Sequence, residues 1–296
     1  MSREQREQAR SLISKAELGQ TPAEQRAGFD EMFASRPLGE DVTLSPRTLG
    51  GRPALDVHID GAEGEGVILY LHGGGYSIGS ARTGANLAAP LARSTGVPAV
   101  SLEYRLAPED PFPAAVDDAL AAYRELLESG QKVVVAGDSA GGGLALALML
   151  AARTAGLPQP AAAVLYSPWT DVSLSGGSID SRGDFDPLFS RAQMAESADW
   201  YVGGQDPRDE LASPLFADLT GLPPLLVQVG SAEVLLDDSL RLAVRAAEAE
   251  VDVSLDVVAG APHVFQYFTG FLPEADEALE RAAAFLRRRL GDQPVG

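Results

Sequence analysis

The 296-residue chain contains no cysteine. That absence excludes disulfide staples, thiol nucleophiles and zinc–thiolate sites. Histidine is scarce too: there are three, so chemistry that needs an imidazole has three places to find it. Basic residues number 23 against 42 acidic ones, a formal charge of −19 that repels phosphate backbones and anionic lipid surfaces. Neither nucleic acid nor a membrane is therefore an expected partner. Long apolar runs are also missing; the longest, Leu144 to Ala152, falls far short of the ~20 residues that span a bilayer. The opening MSREQREQAR carries charges of both signs and lacks the apolar core of a signal peptide, so a soluble, cytoplasmic protein is expected. No internal repeat or low-complexity tract stands out, and the length suits one large α/β core with a lid.

What is present is an alternation of strand-like and helix-like segments. Val67 to Leu71, Ala99 to Leu102, Val133 to Ala136, Ala163 to Tyr166 and Leu225 to Val229 are short apolar runs without interior charges, as in parallel strands covered on both faces. Leu55, Val57 and Ile59 alternate with Asp56 and His58, the pattern of a half-exposed antiparallel strand, and Val253, Leu255 and Val257 predict a last strand. Between the runs lie helical stretches, one with Val116, Leu120, Tyr123 and Leu127 on a single stripe. Residues 1 to 35 read as an amphipathic helical arm in which Thr21-Pro22-Ala23-Glu24 forms a capping box. Glu274 to Leu290 reads as a closing helix with Arg287, Arg288 and Arg289 at its C-terminal dipole. The βαβ alternation predicts a doubly wound sheet. It breaks between Asp171 and Pro224, a Ser-, Gly-, Asp- and Pro-rich excursion around one helical piece, Arg191 to Val202, placed to cap the carboxyl ends of the strands.

The segment VVVAGDSAGG, Val133 to Gly142, carries the chemistry. A β-branched run passes into G-x-S-x-G with Ser139 at its centre and a helix expected from near Gly142, the pattern of a nucleophile elbow in which little beyond glycine fits at 137 and 141. A Gly/Ser turn alone would look similar, so the serine needs partners. The usual base for a serine hydroxyl is a histidine. His58 lies on the polar face of an early strand and His72 opens HGGGY, where it suits loop shaping; His263, in GAPHVF after the last strand, meets the chain order Ser, acid, His. The acid should follow the Leu225 to Val229 strand, in GSAEVLLDDS. Glu233 leads there and Asp237 remains the alternative, although Asp237 and Asp238 also suit the start of the next helix as caps. An ester's tetrahedral oxyanion needs preorganised donors, which the HGGG loop from His72 to Gly75 and the amide after the nucleophile can supply.

With LHGGGY, EYRLAPEDPFPAAVDDA, GDSAGG, SPWTDVSLSG, GSAEVLLDD and GAPHVF in order, the chain resembles the bacterial hormone-sensitive-lipase-like esterases of the α/β-hydrolase superfamily. The resemblance implies an eight-stranded, mostly parallel sheet flanked by helices, with a cap from the N-terminal region and an insertion: cap segment 1–45, core 46–177, cap insertion 178–220 and core 221–296. It implies Ser139 as nucleophile, His263 as base, and the amides of Gly73, Gly74 and Ala140 as oxyanion hole. Many relatives carry Asp-x-Leu where this chain has Glu233-Val234-Leu235, a departure at the acid position. Tyr76, after HGGG, is a pocket candidate, as are Phe185, Leu188, Phe189, Trp200 and Tyr201, for which packing is the commoner role. Glu103, Tyr104 and Arg105 read as a buried ion-pair and packing unit, and relatives that pair through the sheet edge make a homodimer an expectation.

The expected activity is cofactor-free and metal-free hydrolysis of short- to medium-chain acyl esters of small molecules, through an acyl-enzyme on Ser139. A lactonase, an amidase or a deacetylase would use the same residues and differ only in the pocket. A pure binding role, as in plant gibberellin receptors of this fold that lack the catalytic histidine, is disfavoured by His263. A nucleotide-binding dehydrogenase is disfavoured because the first strand-to-helix glycines do not follow G-x-G-x-x-G.

Overall fold

The computed structural model describes residues 5, 8, 19, 21–34, 36–186 and 188–291. Eight strands, β1 (Val42–Leu49), β2 (Arg52–Ile59), β3 (Val67–Leu71), β4 (Ala99–Leu102), β5 (Val133–Asp138), β6 (Ala163–Tyr166), β7 (Leu225–Gly230) and β8 (Val253–Val258), form one sheet in the order β1-β2-β4-β3-β5-β6-β7-β8. β2 is antiparallel to both its neighbours and the pairs from β4 through β8 are parallel. The five apolar runs become β3 to β7, buried along their whole length, because helices cover both faces. β2 is half-exposed as its alternation requires, with Val57 and Ile59 inside and His58 in solvent.

β1 was not visible in the pattern. Pro46 sits in its middle, and a proline is tolerated there because β1 is an edge strand that pairs only with β2.

Among the described residues seven longer helices flank the sheet or stand above it: α1 (Pro22–Ala34), α2 (Ala81–Thr95), α3 (Ala114–Glu128), α4 (Ala140–Thr154), then, after the four-residue α5 (Ser178–Ser181), α6 (Arg191–Val202) and α7 (Leu236–Glu248), and last α8 (Pro273–Leu290). Strand side chains alternate between two cores, since successive Cβ atoms point to opposite faces. Leu69, Leu71, Val133, Val135 and Leu165 pack with α3, α4 and α7, whereas Ile68, Tyr70, Val134 and Ala136 pack with α2 and α8. On α3 the buried face runs through Ala119, Ala122 and Tyr123, leaving Leu120 and Leu127 partly buried. The capping box at Thr21 forms, with Glu24 N donating to Thr21 Oγ1 (3.3 Å) and Thr21 N to Glu24 Oε2 (3.0 Å). Most of the rest of the helical arm expected over residues 1 to 35, outside α1, lies beyond the described residues. Arg26 fixes α1 to the body by donating to the carbonyls of Ser77 and Ala107, both at 2.8 Å.

The parallel strands bring their following loops to one rim: His72 to Gly75 after β3, Ser139 after β5, Glu233 after β7 and His263 after β8. The excursion between β6 and β7 is fastened beside that rim. Asp238, expected to cap its own helix, instead accepts from the amides of Thr170 (2.8 Å) and Asp171 (2.9 Å). Burial pushes its carboxyl up to about 7. No helix among the described residues is long and apolar enough to cross a membrane.

Candidate active site

β5 ends at Asp138 and α4 begins at Ala140, which leaves Ser139 alone to make the turn. Its φ of 53° and ψ of −122° lie where side-chain-bearing residues are strained, so the surrounding packing must hold it there. A Cβ on Gly137 would come within 2.4 Å of the Gly141 carbonyl oxygen, and one on Gly141 within 2.0 Å of that of Leu71. The two outer glycines of G-x-S-x-G are therefore steric necessities. The helix starts two residues earlier than expected, so Ala140 N–H is one of its unpaired first-turn donors.

His263 Nδ1 and Glu233 Oε2 lie 2.6 Å apart, both buried, and Glu233 Oε1 accepts from Gly230 N (3.1 Å). The two loops press together: a Cβ on Gly230 would lie 2.2 Å from the Ala261 carbonyl oxygen. With Nδ1–H given to the carboxylate, Nε2 is the proton-accepting nitrogen, and it has no hydrogen-bond partner among the described residues. Phe189 stands edge-on to the imidazole (5.1 Å, 87°), and Ser167 Oγ accepts from Val264 N at 3.1 Å. Burial by itself would push the His263 imidazole down. The Glu233 carboxylate, with Asp186 and Asp138 behind it, outweighs burial and holds it above its ordinary range.

Asp237, the alternative acid, is committed elsewhere: its Oδ2 accepts from Ser178 N at 2.9 Å. Asp186 was not singled out from the sequence. It accepts from Leu188 N (2.8 Å) and Phe189 N (3.1 Å) with one oxygen and from Val234 N (3.0 Å) with the other, joining the excursion between β6 and β7 to the loop that carries Glu233.

The HGGG loop corrects one expectation. Gly73 N donates to Asp138 Oδ1 at 3.0 Å, so that amide is already used and cannot serve an oxyanion. Gly74 and Gly75, with φ of 121° and 59°, line the cavity beside Ser139 instead. Their amides and that of Ala140 meet no acceptor among the described residues. His72 shapes the loop: its Nδ1 donates to Gly73 O (2.8 Å), and its ring stacks on Tyr104 (4.2 Å, 12°), whose hydroxyl donates to His72 O (2.6 Å). Burial pushes the imidazole down to about 4, so it is neutral. Arg105 pairs with Asp118 (2.8 Å) and Glu103 accepts from Ala81 N at the start of α2, so these residues support the site without pairing with one another.

A cavity of about 420 Å³ contains Ser139 and His263. Leu188, Phe189 and Trp200 line it as expected of pocket residues, and α1 supplies an opposite wall with Phe29, Met32 and Phe33. Tyr76 does not line it. Its ring is turned into the core, stacked on Tyr201 (3.7 Å, 8°) and tilted against Trp169, because a positive φ of 61° directs it under the loop. Tyr201 is thereby a packing residue, and Phe185, 49% exposed, lies outside. The N-terminal segment was expected over the strand ends, but Phe29, Met32 and Phe33 were not singled out, and α1 lacks the one-sided apolar stripe expected of an amphipathic arm that would have pointed to them.

The α/β-hydrolase-fold family matches residues 68–267. An acetyl-hydrolase of Streptomyces hygroscopicus is 47% identical over 228 residues, 76% of this chain and 76% of its own. An esterase of Acinetobacter venetianus is 35% identical over 279 residues, 93% of this chain and 92% of its own. The crystal structure of an esterase from the bacterial hormone-sensitive lipase family superposes with a TM-score of 0.95 at 42% identity, covering 98% of this chain and 100% of that one. The elbow, the paired imidazole and carboxylate and these likenesses together make the chain a member of the α/β-hydrolase family, among the bacterial hormone-sensitive-lipase-like esterases.

Proposed function

We propose that this serine carboxylic-ester hydrolase works through Ser139 as nucleophile, His263 as base and acid, and Glu233 as the carboxylate that orients it. One observation carries the assignment: His263 gives Nδ1 to Glu233 at 2.6 Å while its Nε2, unbonded, shares a cavity with Ser139. Nε2 takes the Ser139 proton as Oγ attacks the ester carbonyl carbon, and the resulting oxyanion accepts from the amides of Gly74, Gly75 and Ala140. The tetrahedral adduct collapses as the imidazolium returns the proton to the departing alcohol. Water, deprotonated at the same nitrogen, then attacks the acyl-enzyme carbonyl carbon, and the imidazolium returns that proton to Ser139 Oγ as the Oγ–acyl bond breaks and the acid leaves. Glu233 stays ionised and stabilises the imidazolium in both halves.

The walls contributed by α1 and by 188–200 leave about 420 Å³, which suits short- to medium-chain acyl groups. We place the cap in segments 1–45 and 178–220. The acetyl-hydrolase relative favours a second reading within this chemistry, removal of acetyl groups from a small molecule. β8 leaves an open sheet edge with Val257 44% exposed, where a second copy would pair; light scattering tests that dimer. A fluorophosphonate that labels Ser139 stoichiometrically, with nitrophenyl acetate and butyrate turned over faster than lactones or amides, is the expected result. An unlabelled folded protein would sink the assignment.

A further inference from the structure

Asp138 is a buried carboxylate outside the triad, whose charge helps raise the His263 imidazole. It immediately precedes Ser139, and it accepts three hydrogen bonds from three different segments: Tyr70 Oη (2.8 Å) and Gly73 N (3.0 Å) on Oδ1, Tyr267 Oη (3.2 Å) on Oδ2. The contact with the glycine loop is close enough to dictate its sequence. A Cβ on Gly73 would lie 2.3 Å from Asp138 Oδ2, so the first glycine of HGGG exists to let the loop lie against this carboxylate. Burial pushes the Asp138 carboxyl above the usual range, and the bonds from Tyr70, Gly73 and Tyr267 draw it back.

Consuming the Gly73 amide decides which amides remain. The peptides after Gly73 have no partner of their own for their N–H groups, and both glycines they belong to line the cavity. Tyr267 then extends the link to the cap: its ring packs on Phe33 of α1 (4.7 Å), and Arg36 donates to its carbonyl at 3.2 Å. Tyr267 follows His263 by four residues, so one carboxylate ties together the elbow, the glycine loop, the histidine loop and the N-terminal arm.

We propose that Asp138 is the positioning residue of the oxyanion site, holding Gly73 N–H so that the Gly74 and Gly75 amides face the reacting carbonyl, with Tyr267 coupling that lock to the N-terminal arm. The proposal rests on the roles assigned above to Ser139 and the glycine amides. A positioning residue of this kind acts on the transition state and leaves ground-state binding alone.

The test uses the full chain carrying Asp138→Leu, Asp138→Asn or Tyr267→Phe, with kcat expressed per Ser139 labelled by fluorophosphonate, so that misfolded molecules drop out. Removing an oxyanion donor typically costs about 10²–10³ in kcat, and a misaimed loop should cost D138L about 10–100-fold with KM unchanged. Affinity for a trifluoromethyl ketone, whose adduct carries the oxyanion, should fall by the same factor. D138N keeps a carbonyl oxygen for Gly73 N–H and should recover most of the loss, and Y267F should lower kcat severalfold. Unchanged kcat per labelled site in D138L overturns the proposal. Should D138L fail to fold, Y267F decides: a lowered kcat at constant KM supports the coupling, and wild-type kcat per site overturns it. Failure of the wild-type chain itself to label at Ser139 would instead strike the functional reading beneath.

Discussion

Ser139, Glu233 and His263 are 6%, 0% and 4% exposed, and the loops after β7 and β8 are joined by backbone hydrogen bonds, Ser231 N to Val258 O (2.9 Å) and Ala232 N to Ala261 O (3.1 Å), and by contacts that tolerate no added Cβ. The wall facing them is built differently. Phe29, Met32, Leu188 and Trp200 are half-buried, Gln193 and Glu196 are exposed, and α1 is held to the body by side chains such as Arg26, Ser80 with Asp30 and Arg36. The difference separates chemistry from selection. Loops locked by backbone contacts keep reacting atoms in place, whereas a wall held by side chains can change shape without disturbing them.

Breaking the locked side should have the largest effect. Ser139→Ala and His263→Ala should each lower kcat by on the order of 10⁴ or more while the thermal midpoint stays near that of wild type, as nitrophenyl butyrate kinetics and calorimetry would establish. Glu233→Ala should cost about 10³–10⁴ in kcat, whereas Asp237→Ala, bonded to Ser178, should cost less than about tenfold; equal activity of the Glu233 variant and wild type would refute the acid assignment.

Asp186 spans the two regions and sharpens the comparison. Its charge helps hold His263 above the ordinary imidazole range, and the base works only when neutral, so activity rises as pH climbs through that value. Asp186→Asn should therefore move the acidic limb of the kcat/KM profile to lower pH. A limb that stays in place or rises would contradict the charge argument.

On the wall, Trp200→Ala should alter KM a few-fold and shift preference toward longer acyl chains, with kcat for acetate esters nearly constant. The smallest effect on activity belongs to Asp238, away from the cavity, whose substitution acts on stability instead. Burial raises its folded-state pKa to about 7, above the unfolded value of 3.8, so its contribution to stability is fully present at low pH and declines as pH rises between those two values. Relative to wild type, Asp238→Asn should gain thermal stability between pH 4 and pH 8. A pH-independent difference would show that another group carries the effect.

Much of this was readable from local pattern. Continuous apolar runs marked β3 to β7 because a strand buried on both faces needs no polar side chains, and scarcity of histidine led to His263. β1 escaped because Pro46 breaks the strand signature where only an edge could accept it. Tyr76 misled because its neighbours in sequence line the cavity, while its own positive φ sends the ring inward.

The sequence by itself determined the strand–turn–helix elbow around Ser139, the glycines beside it and the order of serine, acid and histidine, since these depend on backbone conformations set within a few residues. Only tertiary structure decided how hydrogen-bond donors were shared out. Gly73 gives its amide to Asp138, 65 residues away, and Ser178 gives its own to Asp237, 59 residues away. A donor spent on one acceptor is lost to every other, and which acceptor it meets depends on segments distant in sequence that come together only in the assembled fold.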